Sequence, residues 1–164
     1  MKRRLFWLFT VAAFLFVAAA CGKSAGGNSE THSEHAANGD LRETTASVQK
    51  LPAFLSDQRK EIQLAYQVAG TLSDTLQWIP CYCGCGESAG HKSNLSCFIH
   101  EIREDGTVVW DDHGTRCMTC LNIALQSAEL SKQGKSHLEI RQYIDAQYGK
   151  GGFAKPTDTP MPQA

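Results

Sequence analysis

Six cysteines crowded between residues 81 and 120 constrain this chain more than any other feature of it. Three stand in Pro80-Cys81-Tyr82-Cys83-Gly84-Cys85-Gly86, one is Cys97, and two stand in Cys117-Met118-Thr119-Cys120. Spacing limits what they can do. In an extended strand, residues i, i+2 and i+4 project to one side, so Cys81, Cys83 and Cys85 can face a common point. Gly84 and Gly86 also permit a looped backbone that wraps an ion. Cys117-x-x-Cys120 at the start of a helix sets both sulfurs on one side of the first turn, where free amides favour thiolates.

Three chemistries fit this pattern. The first is metal binding through Cys81, Cys83, Cys85, Cys97, Cys117 and Cys120, with His113 or His91 assisting. Soft thiolates select monovalent copper, zinc or iron–sulfur clusters, and imidazole suits copper and zinc, so copper comes first and zinc second. His113 sits four residues before Cys117 in a loop, and His91 lies between Cys85 and Cys97. Met118 offers a thioether, though packing is its plainer use. The second chemistry is a set of three disulfides stapling a small exported domain. Cysteines two apart pair poorly, however, and such frameworks spread their cysteines along the chain. The third is a thiol–disulfide oxidoreductase with Cys117 and Cys120 as its catalytic pair. The alternating strand–helix setting of thioredoxins is missing. No paired carboxylates and no serine–histidine arrangement stand out, which favours a metal handler over an enzyme. His100 reads as half-buried in a strand, and His137 as solvated in a first helical turn.

Met1 to Ala20 reads as an export signal. Lys2, Arg3 and Arg4 precede an apolar run from Leu5 to Val17, and Ala18-Ala19-Ala20 suit a peptidase. Cys21 follows directly, so Val17 to Gly22 resembles a lipobox whose cysteine is diacylated, with Ala18 where leucine is usual. Two acyl chains anchor a protein stably to a membrane. The expected location is therefore the extracytoplasmic face of the cell membrane. The 16 basic and 17 acidic side chains become 13 and 17 once the signal leaves, a net charge near −4 with neutral histidine. That balance, without a basic patch, excludes nucleic acid as a partner. The expected partners are the membrane itself and another metal-handling or exported thiol protein.

Residues 21–47 are poor in large apolar side chains and read as a flexible tether, with His32 and His35 solvated in it. The folded part is expected over 48–153, and the proline-rich 154–164 as a frayed tail. Ser56 and Asp57 mark a helix start; Ile62, Ala65, Tyr66 and Ala69 form its apolar stripe, and Gly70 its stop. Phe98 to Arg103 alternates, Asp105-Gly106 turns, and Thr107 to Trp110 returns as a hairpin. Leu121, Ala124, Leu125 and Ala128 predict a helix closing near Gly134. Ser136 with Glu139 makes a capping box for a second helix, striped by Ile140, Tyr143, Ile144 and Tyr148. The expected fold is mainly α with a short β-hairpin: a small helical bundle with a cysteine-rich loop.

On Pro80 to Cys85, Gly90-His91, Cys97-Phe98, Asp105-Gly106, His113-Gly114 and Cys117-x-x-Cys120, the chain resembles the bacterial lipoproteins named for a PCYCGC motif. The resemblance spans about Leu51 to Gly152 and brings no established activity with it. Arg116-Cys117-Met118-Thr119-Cys120-Leu121-Asn122, Gly134-Lys135-Ser136, Glu139-Ile140 and Tyr148-Gly149 are also similar to the periplasmic thiol subunit of cytochrome c maturation. That likeness implies a reducing Cys117/Cys120 pair on a small helical bundle and has no counterpart for Pro80 to Cys85.

Overall fold

Apolar residues at helical spacing build most of this domain, and a sheet of which spacing revealed only half completes it. The structure is a computed structural model and describes residues 32–163. In order come β1 (Ser33–His35), β2 (Leu41–Thr45), α1 (Lys60–Thr71), α2 (Ser73–Leu76), α3 (Gly86–Ala89), β3 (Ile99–Ile102), β4 (Val108–Asp111), α4 (Met118–Lys132) and α5 (His137–Tyr148). Short 3-10 turns cover Ala53–Leu55, Leu95–Cys97 and Asp112–Arg116.

The expected stripe of α1 is buried at Ile62, Ala65, Tyr66 and Ala69. Gly70 does not stop the helix. A side chain there would meet the Val48 carbonyl at 3.0 Å and the Trp110 ring at 3.2 Å, so its role is close approach. α4 packs on both α1 and α5. The capping box of α5 is formed as expected: Ser136 accepts from the Glu139 amide, and Glu139 accepts from the Ser136 amide.

The sheet corrects the expectation of a mainly helical bundle with a hairpin. The hairpin exists as β3 and β4, but it is half of a four-stranded antiparallel sheet ordered β1-β2-β4-β3. The two further strands come from residues assigned by composition to the tether. Their stabilisation is polar, which is why no apolar alternation announced them. Arg42 pairs with Asp111 at 3.1 Å, Trp110 Nε1 donates to Thr45 Oγ1 at 2.8 Å, and the buried Glu43 carboxylate accepts from the amides of Ala53 and Phe54. Such charge-assisted bonds to buried groups replace the apolar face that a strand ordinarily needs. Between sheet and helices Tyr66 packs edge to face on Phe98 and tilted against Trp110. Among the described residues no helix is long and apolar enough to cross a membrane.

Candidate metal centre

Three separate stretches of chain deliver the cysteines to one place. Cys81, Cys83 and Cys85 occupy the loop between α2 and α3, Cys97 closes the turn before β3, and Cys117 and Cys120 open α4. The cysteine loop is braced by residues that composition assigned to a frayed tail. The Cys81 amide donates to Thr157 Oγ1 at 2.9 Å, the Thr157 amide to the Cys81 carbonyl at 3.1 Å, and the Ala154 amide to the Tyr82 carbonyl. Thr159 donates to the Lys92 carbonyl at 2.7 Å, and Arg141 donates to the carbonyls of Trp78, Thr159 and Pro160. This segment satisfies loop groups that would otherwise be left unpaired on a half-buried backbone.

The sulfurs converge. Cys81 and Cys83 lie 2.8 Å apart, Cys97 and Cys120 2.8 Å, Cys81 and Cys120 3.4 Å, and Cys81 and Cys97 3.8 Å. All four sulfurs stand within 4.8 Å of one another. Cys81, Cys97 and Cys120 are buried, whereas Cys83, Cys85 and Cys117 are partly exposed, and none of the six is in a disulfide. Cys83 belongs to a second group as well, with Cys85 and His113, whose ligand atoms meet the same spacing. Gly84, at φ +85°, turns the loop between Cys83 and Cys85 in a conformation that favours glycine. Gly114 has a different task. A side chain there would sit 2.8 Å from the Cys97 carbonyl and 2.7 Å from the Phe98 ring, so only glycine lets the His113 turn press against the sulfur group.

Hydrogen bonds among the thiols polarise the cluster. Cys117, Cys120, Cys81 and Cys97 hold Cys83 far below the usual thiol range. Cys120, foremost among its neighbours, helps bring Cys81 down to about 6. Contacts with Cys117, Cys81, Cys83 and Cys97, together with burial, push Cys120 well up. For Cys97 the bond with Cys120 lowers the pKa, but Cys81, Cys83 and burial outweigh it. Burial and then Cys83 lift Cys85 to about 11. His113 rises to about 9, chiefly because it hydrogen-bonds Cys83, and Asp40 adds to this. The centre is thus an electron-rich sulfur knot with a cationic imidazole at its rim, and metal entry displaces protons from it.

Both histidines expected near the sulfurs are there. His91 Nδ1 faces Cys97 Sγ at 3.4 Å, and the rings of His91 and His113 meet edge to face at 4.5 Å. Met118 is not part of the group: it is 47% exposed, and its sulfur accepts from Arg59 at 3.7 Å. His100 is exposed on β3 rather than half-buried. His32, His35 and His137 are exposed too, and Cys21 lies outside the described residues. Sequence reasoning missed Asp40. It is buried, its Oδ2 stands 3.0 Å from His113 Nδ1, and its Oδ1 accepts from Arg116 at 2.5 Å. A signal for it was present: Asn38-Gly39 is a turn dipeptide, and it joins β1 to β2 and so delivers Asp40.

Six sulfurs and two imidazoles, half of them withdrawn from water, match the donor preferences of monovalent copper and of zinc. The molecule is therefore a small mixed α/β domain built around a cysteine cluster able to hold metal. The family described as "Protein of unknown function with PCYCGC motif" matches residues 10–162, and the chain belongs to it. No curated protein and no solved structure matches the chain. The likeness to the cytochrome c maturation subunit rests on the residues quoted above alone.

Proposed function

We propose that this protein is a membrane-anchored, extracytoplasmic lipoprotein that binds a soft metal in its cysteine cluster, copper first and zinc second, for storage, delivery or detoxification. The observation that carries the reading is the sharing of Cys83 between two ligand groups, Cys81/Cys83/Cys97/Cys120 and Cys83/Cys85/His113. A thiolate held in common suits bridging between ions, which monovalent copper accepts readily and an isolated structural zinc does not need. Zinc fits the four-sulfur group by itself. Diacylated Cys21 supplies the anchor.

A thiol–disulfide oxidoreductase is the second reading, supported by the position of Cys117 directly before α4 with Cys120 in its first turn. An attacking thiol should be depressed there. Cys120 does lower Cys117 by hydrogen bonding, but Cys83 and burial raise it more, and the net shift is upward. That environment suits a ligand better than a nucleophile.

Purified full-length protein, loaded with monovalent copper or zinc under reducing conditions, separates the two. C83S should lose most of its metal stoichiometry while turnover of a model disulfide stays as low as in the unaltered protein. Full metal retention by C83S, with disulfide turnover that vanishes on Cys117→Ser, would overturn the proposal. Palmitate incorporation that is lost in Cys21→Ala tests the anchor.

A further inference from the structure

We infer that Asp40, His91 and His113 form a second metal site of a different kind, a nitrogen–oxygen site for a divalent ion such as zinc, beside the sulfur cluster. The three come from distant parts of the chain: the turn between β1 and β2, the loop after α3, and the turn after β4. Their ligand atoms all lie within 4.8 Å of one another. One edge is already closed, with Asp40 Oδ2 and His113 Nδ1 3.0 Å apart. Bonds of about 2.0–2.1 Å at tetrahedral angles hold neighbouring ligands a little over 3 Å apart, so this edge needs no adjustment and the His91 corner closes from within 4.8 Å.

His91 points to a ligand independently. It is 8% exposed, and its Nε2 has no hydrogen-bond partner. Its Nδ1 is engaged on the other side, at 3.4 Å from Cys97 Sγ. A buried ring nitrogen without a partner costs on the order of 1–3 kcal/mol, and a metal ion is one group that satisfies it. The neighbours of the site behave as outer supports do around metal ligands: Cys97 fixes the His91 ring, and Arg116 holds the second oxygen of Asp40. Two imidazoles and one carboxylate suit a borderline divalent ion, whereas the six thiols select a soft one.

Three protein ligands leave a position open, as in sites that exchange or activate what they bind. His91 also lines a cleft of about 800 Å³ together with Gly84, Gly86 and Ala154 to Asp158. The site does not depend on the sulfurs holding metal. His113 serves both groups and His91 touches Cys97, so Asp40 is the residue that isolates the site.

Cobalt(II) is the probe, because thiolate coordination gives intense charge-transfer absorption and nitrogen–oxygen coordination only weak ligand-field bands. Titration of the reduced full-length protein should show a charge-transfer phase and one further equivalent that adds ligand-field bands alone. D40N and H91Q should weaken that equivalent at least about tenfold, as lost metal ligands and their supports do. The charge-transfer phase of D40N should remain intact, which also reports that it folds. The inference is overturned if every bound cobalt contributes to the charge-transfer phase, a result the unaltered protein delivers even if both variants misfold. It is equally overturned if folded D40N and H91Q keep the full stoichiometry and affinity. Loss of the charge-transfer phase with survival of the other equivalent would instead count against the sulfur reading and in favour of this one.

Discussion

The two halves of the cysteine constellation are built into the molecule in different ways. Cys81, Cys97 and Cys120 are core residues, sharing one cluster of buried side chains with Ile79, Phe98, Leu121 and Ile123. Cys83, Cys85 and Cys117 sit on the water side, with His113 and the charged group of Asp40, Arg116 and Asp112 around them. A buried thiol behaves as a small hydrophobe until it is asked to ionise, so the inner three serve packing and ligation together. Cys83 and Cys117 pack against the edge of that core, and Cys85 stands outside it, free to serve ligation alone. The inner half should therefore tie metal to stability, and Cys85 should tune metal with the fold left untouched.

Cys120→Ser is the harshest test of that division. It places a hydroxyl in a buried site shaped for sulfur, so the metal-free protein should lose about 1–3 kcal/mol in denaturant unfolding. Metal binding by the four-sulfur group should go with it. A stable C120S protein that still loads fully would erase the distinction. Gly114→Ala comes next. Backbone at Cys97 cannot yield to the new methyl group, so a comparable loss of about 1–3 kcal/mol from overpacking is expected, and His113 should be displaced from the sulfurs. Cys85→Ser should leave unfolding within about 0.5 kcal/mol, as surface changes do, yet weaken the outermost bound ion in competition titrations with a chelator. Met118→Leu should change neither readout, because its thioether stands outside the group.

The smallest effect concerns the exposed start of α5. Hydrogen bonds from Lys135, then those from Ser136, hold the Glu139 carboxyl at about 2. A depressed carboxylate stabilises the fold above its unfolded pKa, near the ordinary 4.5, and that contribution fades as pH falls toward 2. Unfolding midpoints of the unaltered protein and E139Q should differ slightly at neutral pH and converge in acid, while metal content stays the same in both.

How much of this was readable beforehand divides along similar physical lines. Apolar periodicity located α1, α4 and α5, since Tyr66, Leu121, Ile140 and Ile144 had to be buried together. Hairpin and capping box followed from Asp105-Gly106 and Ser136/Glu139. The sulfur cluster was legible because cysteine spacing carries its own geometry. β1 and β2 were not, because Arg42, Glu43 and Thr45 earn their places through ion pairs and hydrogen bonds with partners far along the chain. Asp40 was hidden for the same reason, although Asn38-Gly39 marked its turn. Thr157 and Thr159 show that a proline-rich tail without an apolar stripe can be fixed by backbone hydrogen bonds to a loop.

Native mass spectrometry of the protein purified without added metal, followed by alkylation and mapping of its thiols after denaturation, addresses the sulfur centre most directly. The expected spectrum carries copper or zinc, and all six positions from Cys81 to Cys120 are alkylated once the metal is released. A metal-free protein with those six sulfurs paired in three disulfides would contradict the account.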